Sequence, residues 1–242
     1  MDSQEFSLGE VDRDGAIRET AQEAAEILES EGDTRATFFK KAGLAGGALI
    51  GGGALMGTLM TGTAVAGNRN RPPAEFGAGD IGILNFALTL EFLERDFYKE
   101  ATENNKKKKF LNKGSETNFL KAVLPDEHDH VAFLRSALGK SQIKKPKFGF
   151  GKAVKDRETF LETAFQLEDT GVGAYLGQAL NISNVAYTKA ALSIATIEAR
   201  HSGLIGEITR GANGVAPHTA FDRTLGADMV LKRVKKTGFI KG

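Results

Sequence analysis

Residues 125–133 read "PDEHDHVAF", and they decide the fold because their spacing recurs 71 positions later. Glu127 and His130 stand three residues apart, so both side chains share one face of a helix. The stretch "ATIEARHSG" repeats this spacing with Glu198 and His201. Two of the chain's four histidines therefore follow a glutamate by three residues. A pair of Glu-x-x-His motifs on two helices indicates a metal site inside a helical bundle.

Two further glutamates are each followed by a tyrosine seven residues later. The stretch "LEFLERDFY" places Tyr98 after Glu91, and "LEDTGVGAY" places Tyr175 after Glu168. Seven residues are close to two helical turns, so each glutamate shares a face with its tyrosine. The two glutamates lie 77 positions apart, and so do the two tyrosines. These matched spacings indicate an internal duplication with a shorter loop in the second half.

Four stretches carry apolar residues every three to four positions, which predicts four amphipathic helices. The stretches are residues 80–104, 115–138, 156–180 and 183–210. We expect Asp80 and Ser183 to act as N-caps of the first and last helices. Pro125 predicts a kink or break inside the second helix.

The loops between the helices predict how the helices are arranged. The first and second helices, and the third and fourth, have short to moderate connections, so each pair is expected to form an antiparallel hairpin. The link between the hairpins, residues 139–155, is long enough to run back along the bundle. The predicted fold class is therefore all-α, a four-helix bundle of two antiparallel hairpins joined by a crossover.

The predicted hairpins place the glutamates of the repeated motifs at the same height in the bundle. Residues equally far from the turn of a hairpin lie level, and this places the two glutamates of each hairpin opposite each other. The predicted ligands are Glu91, Glu127, His130, Glu168, Glu198 and His201. Four carboxylates and two imidazoles suit two iron or two manganese ions. Tyr98 and Tyr175 are expected to hydrogen-bond the ligands, and we predict no catalytic residue beyond the ligands.

Four segments carry a family resemblance: "LNFALTLEFLERDFYKEA", "DEHDHVAFLRSAL", "LEDTGVGAYLGQAL" and "IATIEARHSGLI". They resemble the ferritin-like superfamily, and in particular its exported ferritin-like domain proteins, which include desiccation-related proteins. The resemblance covers about residues 78–212. It implies a ferritin-like four-helix bundle that is able to bind a dinuclear metal centre.

Some assignments stay open at this point. Glu94 lies one turn after Glu91 and is an alternative ligand from the first helix. The two Glu-x-x-His motifs could also be unrelated surface pairs. Asp126 and Asp129 fit the start and the solvated face of a helix, and His128 points away from the predicted site.

Composition limits the chemistry further. The chain has 242 residues and no cysteine, which excludes disulfides, thiolate metal sites and iron–sulfur clusters. Residues 67–242 hold 27 basic and 20 acidic residues, a mild excess that does not argue for nucleic acid.

The N-terminal part of the chain has the layout of an export signal. Residues 1–33 form an acidic leader, and residues 34–66 carry a basic flank, an uncharged stretch and "AVA" at the end. "TRATFFK" resembles the twin-arginine motif, but Ala36 stands where the second arginine is expected. The alternatives are a membrane anchor through residues 42–66 and a glycine-rich linker.

The remaining boundaries and the function follow from these features. Residues 67–77 are a predicted linker, 78–212 the bundle and 213–242 a tail packed on it.

We expect an exported or membrane-anchored protein whose dinuclear centre reacts with dioxygen or hydrogen peroxide, as a ferroxidase, a peroxidase or a catalase-like enzyme in stress protection. The alternative is a non-enzymatic envelope or desiccation-stress protein with a structural metal site. Monomer and homo-oligomer are both compatible with the sequence.

Overall fold

The computed structural model describes residues 71–215 and 221–241. The acidic leader 1–33, the predicted export segment 34–66 and residues 67–70 of the predicted linker lie outside the described residues. No helix within the two described ranges combines the length and the apolarity that are needed to cross a bilayer.

Four long helices form the body of the described structure. They are α1 (Gly79–Lys108), α2 (Ser115–Leu138), α3 (Arg157–Ala179) and α4 (Val185–Arg210). The shorter helices are α5 (Ala212–Val215) and α6 (Ala227–Thr237). Strands β1 (Lys147–Phe148) and β2 (Ile240–Lys241) pair antiparallel over two residues each. The predicted all-α four-helix bundle is confirmed.

The crossover between the hairpins follows α1 along its length. Near the start of α1, Asn85 accepts a hydrogen bond from the backbone N–H of Ile143 at 2.8 Å. Near the end of α1, the side chain of Asn104 donates to the backbone carbonyl of Val154 at 3.1 Å. Between them, Lys145 forms an ion pair with Asp96. The chain therefore travels from one end of the bundle to the other before α3 begins, so α3 runs antiparallel to α1.

The helix caps differ in part from the sequence-based prediction. Asp80 lies inside the first turn of α1 and does not cap it; its carboxylate accepts the backbone N–H groups of Ser183 at 2.8 Å and Asn184 at 2.9 Å. The N-cap of α4 is Asn184, not Ser183, since its side chain accepts the N–H of Ala186 at 2.9 Å. Asp80 thus ties the start of the first helix to the start of the last.

Of the kink or break predicted at Pro125, the break does not occur. The helix runs without interruption from Ser115 to Leu138. Proline removes one backbone N–H, and the carbonyl one turn earlier, at Lys121, loses its helical partner. Both residues are exposed, so water can satisfy that carbonyl and the helix continues.

The C-terminal segment packs on α3 through two glycines. The backbone N–H of Leu225 donates to the carbonyl of Gly173 at 2.8 Å. A Cβ atom at Gly177 would lie 1.9 Å from the carbonyl oxygen of Leu225. Glycine at position 177 is therefore required for the tail to approach the helix this closely.

We predict that Gly177→Ala destabilises the protein, because the added methyl group displaces the backbone around Leu225. Overpacking of this kind costs about 1–3 kcal/mol. Each kcal/mol should lower the melting temperature of a domain of this size by about 2–4 °C. Thermal unfolding followed by circular dichroism measures the effect.

Gly203→Ala is the matched control in α4. No atom lies within 4 Å of the position its Cβ would take. Removing an unneeded helical glycine should stabilise the protein by roughly 0.5–1 kcal/mol. Equal melting temperatures for the two variants would contradict the tight approach of the tail.

Candidate metal centre

The four long helices each contribute one glutamate to a buried cluster at the centre of the bundle. Glu91, Glu127, Glu168 and Glu198 are all 0% exposed. The two histidines are almost as deeply buried, His130 at 8% and His201 at 5% exposure. The interpretation of the Glu-x-x-His motifs as unrelated surface pairs is therefore wrong.

One half of the cluster surrounds His130. Its Nδ1 atom lies 3.2 Å from Oε2 of Glu91 and 3.2 Å from Oε1 of Glu198. Oε2 of Glu127 is 3.6 Å away. Ligand atoms of these four residues all lie within 4.8 Å of one another, which is close enough to hold one ion.

The other half surrounds His201. Its Nδ1 atom lies 3.2 Å from Oε2 of Glu168 and 3.4 Å from Oε1 of Glu127. Glu127, Glu168, Glu198 and His201 again offer ligand atoms within 4.8 Å of one another. Glu127 and Glu198 belong to both groups, so the two positions for an ion are neighbours that share two carboxylates.

Unsatisfied polar atoms show that the cluster fits a metal. Among the described residues, buried side-chain atoms without a hydrogen-bond partner are concentrated here. Six of the seven in the described ranges lie in the cluster: Oε2 of Glu91, both carboxylate oxygens of Glu127 and of Glu198, and Nδ1 of His130; the seventh is Oγ1 of Thr102. Buried polar atoms without partners are costly, and cations bound between the carboxylates would satisfy them.

The two tyrosines bind the glutamates of the opposite half. The hydroxyl of Tyr98 on α1 donates to Oε1 of Glu168 on α3. The hydroxyl of Tyr175 on α3 donates to Oε1 of Glu91 on α1. Burial, followed by the charge of the bonded glutamate, raises the pKa of both tyrosines well above 10. The phenols therefore keep their protons and each fixes one glutamate oxygen.

Burial controls the protonation of the carboxylates. It raises the pKa of Glu127 to about 7, against the lowering effect of the two histidines. Burial and the charge of Glu127 raise the pKa of Glu198 well above its usual range. Burial would also raise the pKa of Glu91, but the neighbouring His130 lowers it overall. Without metal, the cluster therefore retains protons that ions would replace.

For the two histidines, burial and the neighbouring glutamates have opposite effects on the pKa. Burial alone would lower the pKa of His201, but its contacts with Glu127 and Glu168 raise it to about 11. His130 is raised likewise, because Glu127, Glu198 and Glu91 outweigh the effect of burial on its pKa. A metal ion must displace these protons, since only the neutral imidazole is a ligand.

Glu94 is a fifth buried carboxylate beside the cluster. It is 3% exposed, and burial together with the charges of Glu198 and Glu127 raises its pKa well above 4.5. It belongs to neither four-residue group. Its counterpart 77 positions later is Gly171, whose Cβ would lie 3.4 Å from Oε1 of Glu94 and 2.8 Å from Oε2 of Glu198. The absence of a side chain at Gly171 leaves room for Glu94, and only one half of the duplication carries this extra carboxylate.

Asp126 contacts the centre in a way that sequence reasoning missed. It lies well inside α2 rather than at a helix start, and its Oδ2 is 3.0 Å from Nε2 of His201. A carboxylate on the outer nitrogen fixes the ring orientation and leaves Nδ1 facing the cluster. The available signal was that Asp126 directly precedes Glu127, whereas its counterpart before Glu198 is the apolar Ile197.

Comparison with known proteins adds an independent finding. The family model described as a ferritin-like domain matches residues 79–210, which is more than half of the chain and includes all six clustered residues. A search of curated proteins finds no match.

We predict that Asp126→Asn weakens metal binding at the position beside His201. The amide supports the imidazole less well than the carboxylate, and changes to such supporting groups cost about 10–100-fold in metal affinity. Competition titration with a chelating dye should show one weakened site and one unchanged site. Asp129→Asn is the matched control, since Asp129 is exposed on the same helix. Equal affinities in both variants would contradict a role for Asp126.

Proposed function

The chain belongs to the ferritin-like domain family, and we propose that its buried centre holds two iron or two manganese ions and reacts with dioxygen or hydrogen peroxide. The observation that carries this proposal is the pair of four-residue groups that share Glu127 and Glu198. One group would hold an ion beside His130 and the other an ion beside His201. Glu127 and Glu198 could offer ligand atoms to both ions.

The charge and the type of the ligands favour these metals. Four carboxylates balance the charge of two divalent cations, so the loaded centre can stay in the buried interior of the bundle. Carboxylate oxygens with one imidazole for each ion suit iron and manganese better than copper. The chain has no cysteine to offer a thiolate.

The bound ions would supply electrons to the oxidant, which is the chemistry that these side chains lack by themselves. The residues around them hold the geometry. Tyr98 and Tyr175 fix one oxygen each of Glu168 and Glu91 and leave the other oxygen to face the cluster. Glu94, whose pKa burial and the charge of Glu198 raise well above its usual range, offers a carboxyl group that can hold a proton beside the cluster. Proton-accepting and proton-donating groups at the centre suit the reduction of an oxygen–oxygen bond.

We also propose that the protein is exported or anchored at the membrane. The support is the sequence of residues 34–66, with its basic flank and its long uncharged stretch. Fractionation of cells that express the full chain tests this. A full-length chain found in the cytosolic fraction would contradict export.

We predict that the purified protein binds about two iron or manganese ions for each chain. Glu198→Gln should abolish binding at both positions, because Glu198 belongs to both groups. Elemental analysis after metal loading measures the stoichiometry. The control is Glu158→Gln, which changes an exposed glutamate of α3 and should leave two ions bound. A folded wild type that takes up no metal would overturn the proposal, and a loaded protein inert to both oxidants would overturn its redox part.

We predict that the metal-free protein loses stability as the pH rises. The pKa of Glu127 is about 7 in the folded chain against an ordinary value of 4.5. The folded state therefore binds this proton more tightly, and its contribution to the free energy of unfolding falls between those two values. His201 acts in the same direction, and its contribution is lost as the pH rises through about 11.

Urea unfolding at about pH 5 and about pH 8 measures this dependence. Bound metal replaces the protons, so the loaded protein should keep its stability across the same range. In the metal-free state, Glu127→Gln should be less sensitive to pH than the wild type, since it lacks one of the titrating groups. A metal-free wild type that gains stability over this range would contradict the cost of burying these carboxylates.

A further inference from the structure

A small apolar cavity lies between the four long helices on the Tyr175 side of the centre. Its volume is about 20 Å³, roughly the space of one water-sized molecule. The lining is almost entirely apolar. The lining includes Ala87, Leu90, Leu134, Ala174, Ala191 and Ile194.

The cavity lies about one helical turn from the clustered ligands. Ala87 precedes Glu91 by four residues, and Ile194 precedes Glu198 by four residues. Four residues along a helix correspond to roughly 6 Å. Tyr175 lines the cavity and also hydrogen-bonds Glu91, so this side chain contacts both the cavity and the centre.

The duplication explains why space exists on this side. The counterpart of Ala174 is Phe97, and the counterpart of Ala191 is Leu120, both fully or almost fully buried. On the Tyr98 side, the ring of Phe97 stacks on Phe160 with centroids 5.4 Å apart. Large side chains fill the Tyr98 side, whereas alanines leave a gap on the Tyr175 side.

The rim of the cavity reaches the protein surface. Phe133 on α2 is 38% exposed, and Ile182 and Tyr187 at the α3–α4 turn are half-buried. All three line the cavity. The lining of the cavity therefore extends from Tyr175 to side chains that are partly exposed to solvent at this end of the bundle.

We propose that this cavity is the holding site through which dioxygen reaches the metal centre. Dry cavities lined by apolar side chains bind small apolar molecules, and dioxygen is apolar and fits the volume. Hydrogen peroxide would exchange its hydrogen bonds to water for a lining in which nearly all side chains are apolar, apart from Gln178 and the two tyrosines. The inference rests on the proposed function and deepens it, because it selects dioxygen as the oxidant that uses this route.

Xenon binding tests the cavity independently of any metal. We expect xenon in the cavity of the metal-free wild type, seen either in a pressurised crystal or through the ¹²⁹Xe chemical shift. Ala191→Leu copies the other half of the duplication and should abolish xenon binding. Ala186→Leu places the same side chain at an exposed position of α4 and should bind xenon as the wild type does. Absence of xenon from the wild type would overturn the holding site.

Oxidation kinetics of the metal-loaded protein test the route. Ala191→Leu should slow oxidation by dioxygen several-fold and leave oxidation by hydrogen peroxide at the wild-type rate. Thermal unfolding and elemental analysis establish that the variant is folded and binds two ions. Equal rates with dioxygen in the variant and the wild type would overturn the route while leaving the metal centre intact. A wild type that binds xenon but no metal would instead overturn the proposed function and this route with it.

Discussion

The burial of like charges is the constraint on which this structure depends. Five carboxylates are 3% exposed or less around one point, and burial opposes their ionisation while each charge repels the others. Two imidazoles bring compensating protons in the metal-free protein. Because the carboxylates come from all four long helices, the repulsion acts directly between the elements of the fold.

The rest of the bundle holds the four helices together against this repulsion. The crossover is hydrogen-bonded to both ends of α1, through Asn85 and Asn104. Asp80 links the start of α1 to the start of α4. On the Tyr98 side of the centre, stacked aromatic rings form a rigid apolar layer, and the tail covers α3 at Gly173 and Gly177. Contacts at the ends and flanks of the bundle stabilise the fold, and the buried carboxylates at its centre destabilise it.

Much of the fold could be predicted from the sequence because the spacing of residues along a helix determines which side chains share a face. The four amphipathic patterns gave the long helices, and loop lengths gave the two hairpins and the crossover. The repeated spacing of Glu127 with His130 and Glu198 with His201 led to six residues that the structure places in one cluster. These inferences needed only the helical period and the order of the elements along the chain.

The features that could not be predicted depend on contacts between elements. Asp126 looked like a residue of a helix start because its partner, His201, comes from another helix. Pro125 is tolerated because its face of α2 is exposed, and exposure is a property of the packed bundle. Asp80 resembled a cap of its own helix, yet it binds the backbone at the start of α4. The cavity beside Tyr175 depends on how side chains from all four long helices pack together. The spacing of residues along one helix does not predict such a gap.

The crosswise tyrosine bonds bear on how such a chain could have arisen. Tyr98 and Tyr175 each bind a glutamate that the other half of the duplication supplies. A lone helical hairpin with one glutamate, one tyrosine and one Glu-x-x-His could complete neither bond by itself. It would have to associate with a second copy around a two-fold axis. Fusion of two such copies would free each half to diverge, and Glu94 opposite Gly171 and Asp126 opposite Ile197 are differences that a pair of identical hairpins could not have.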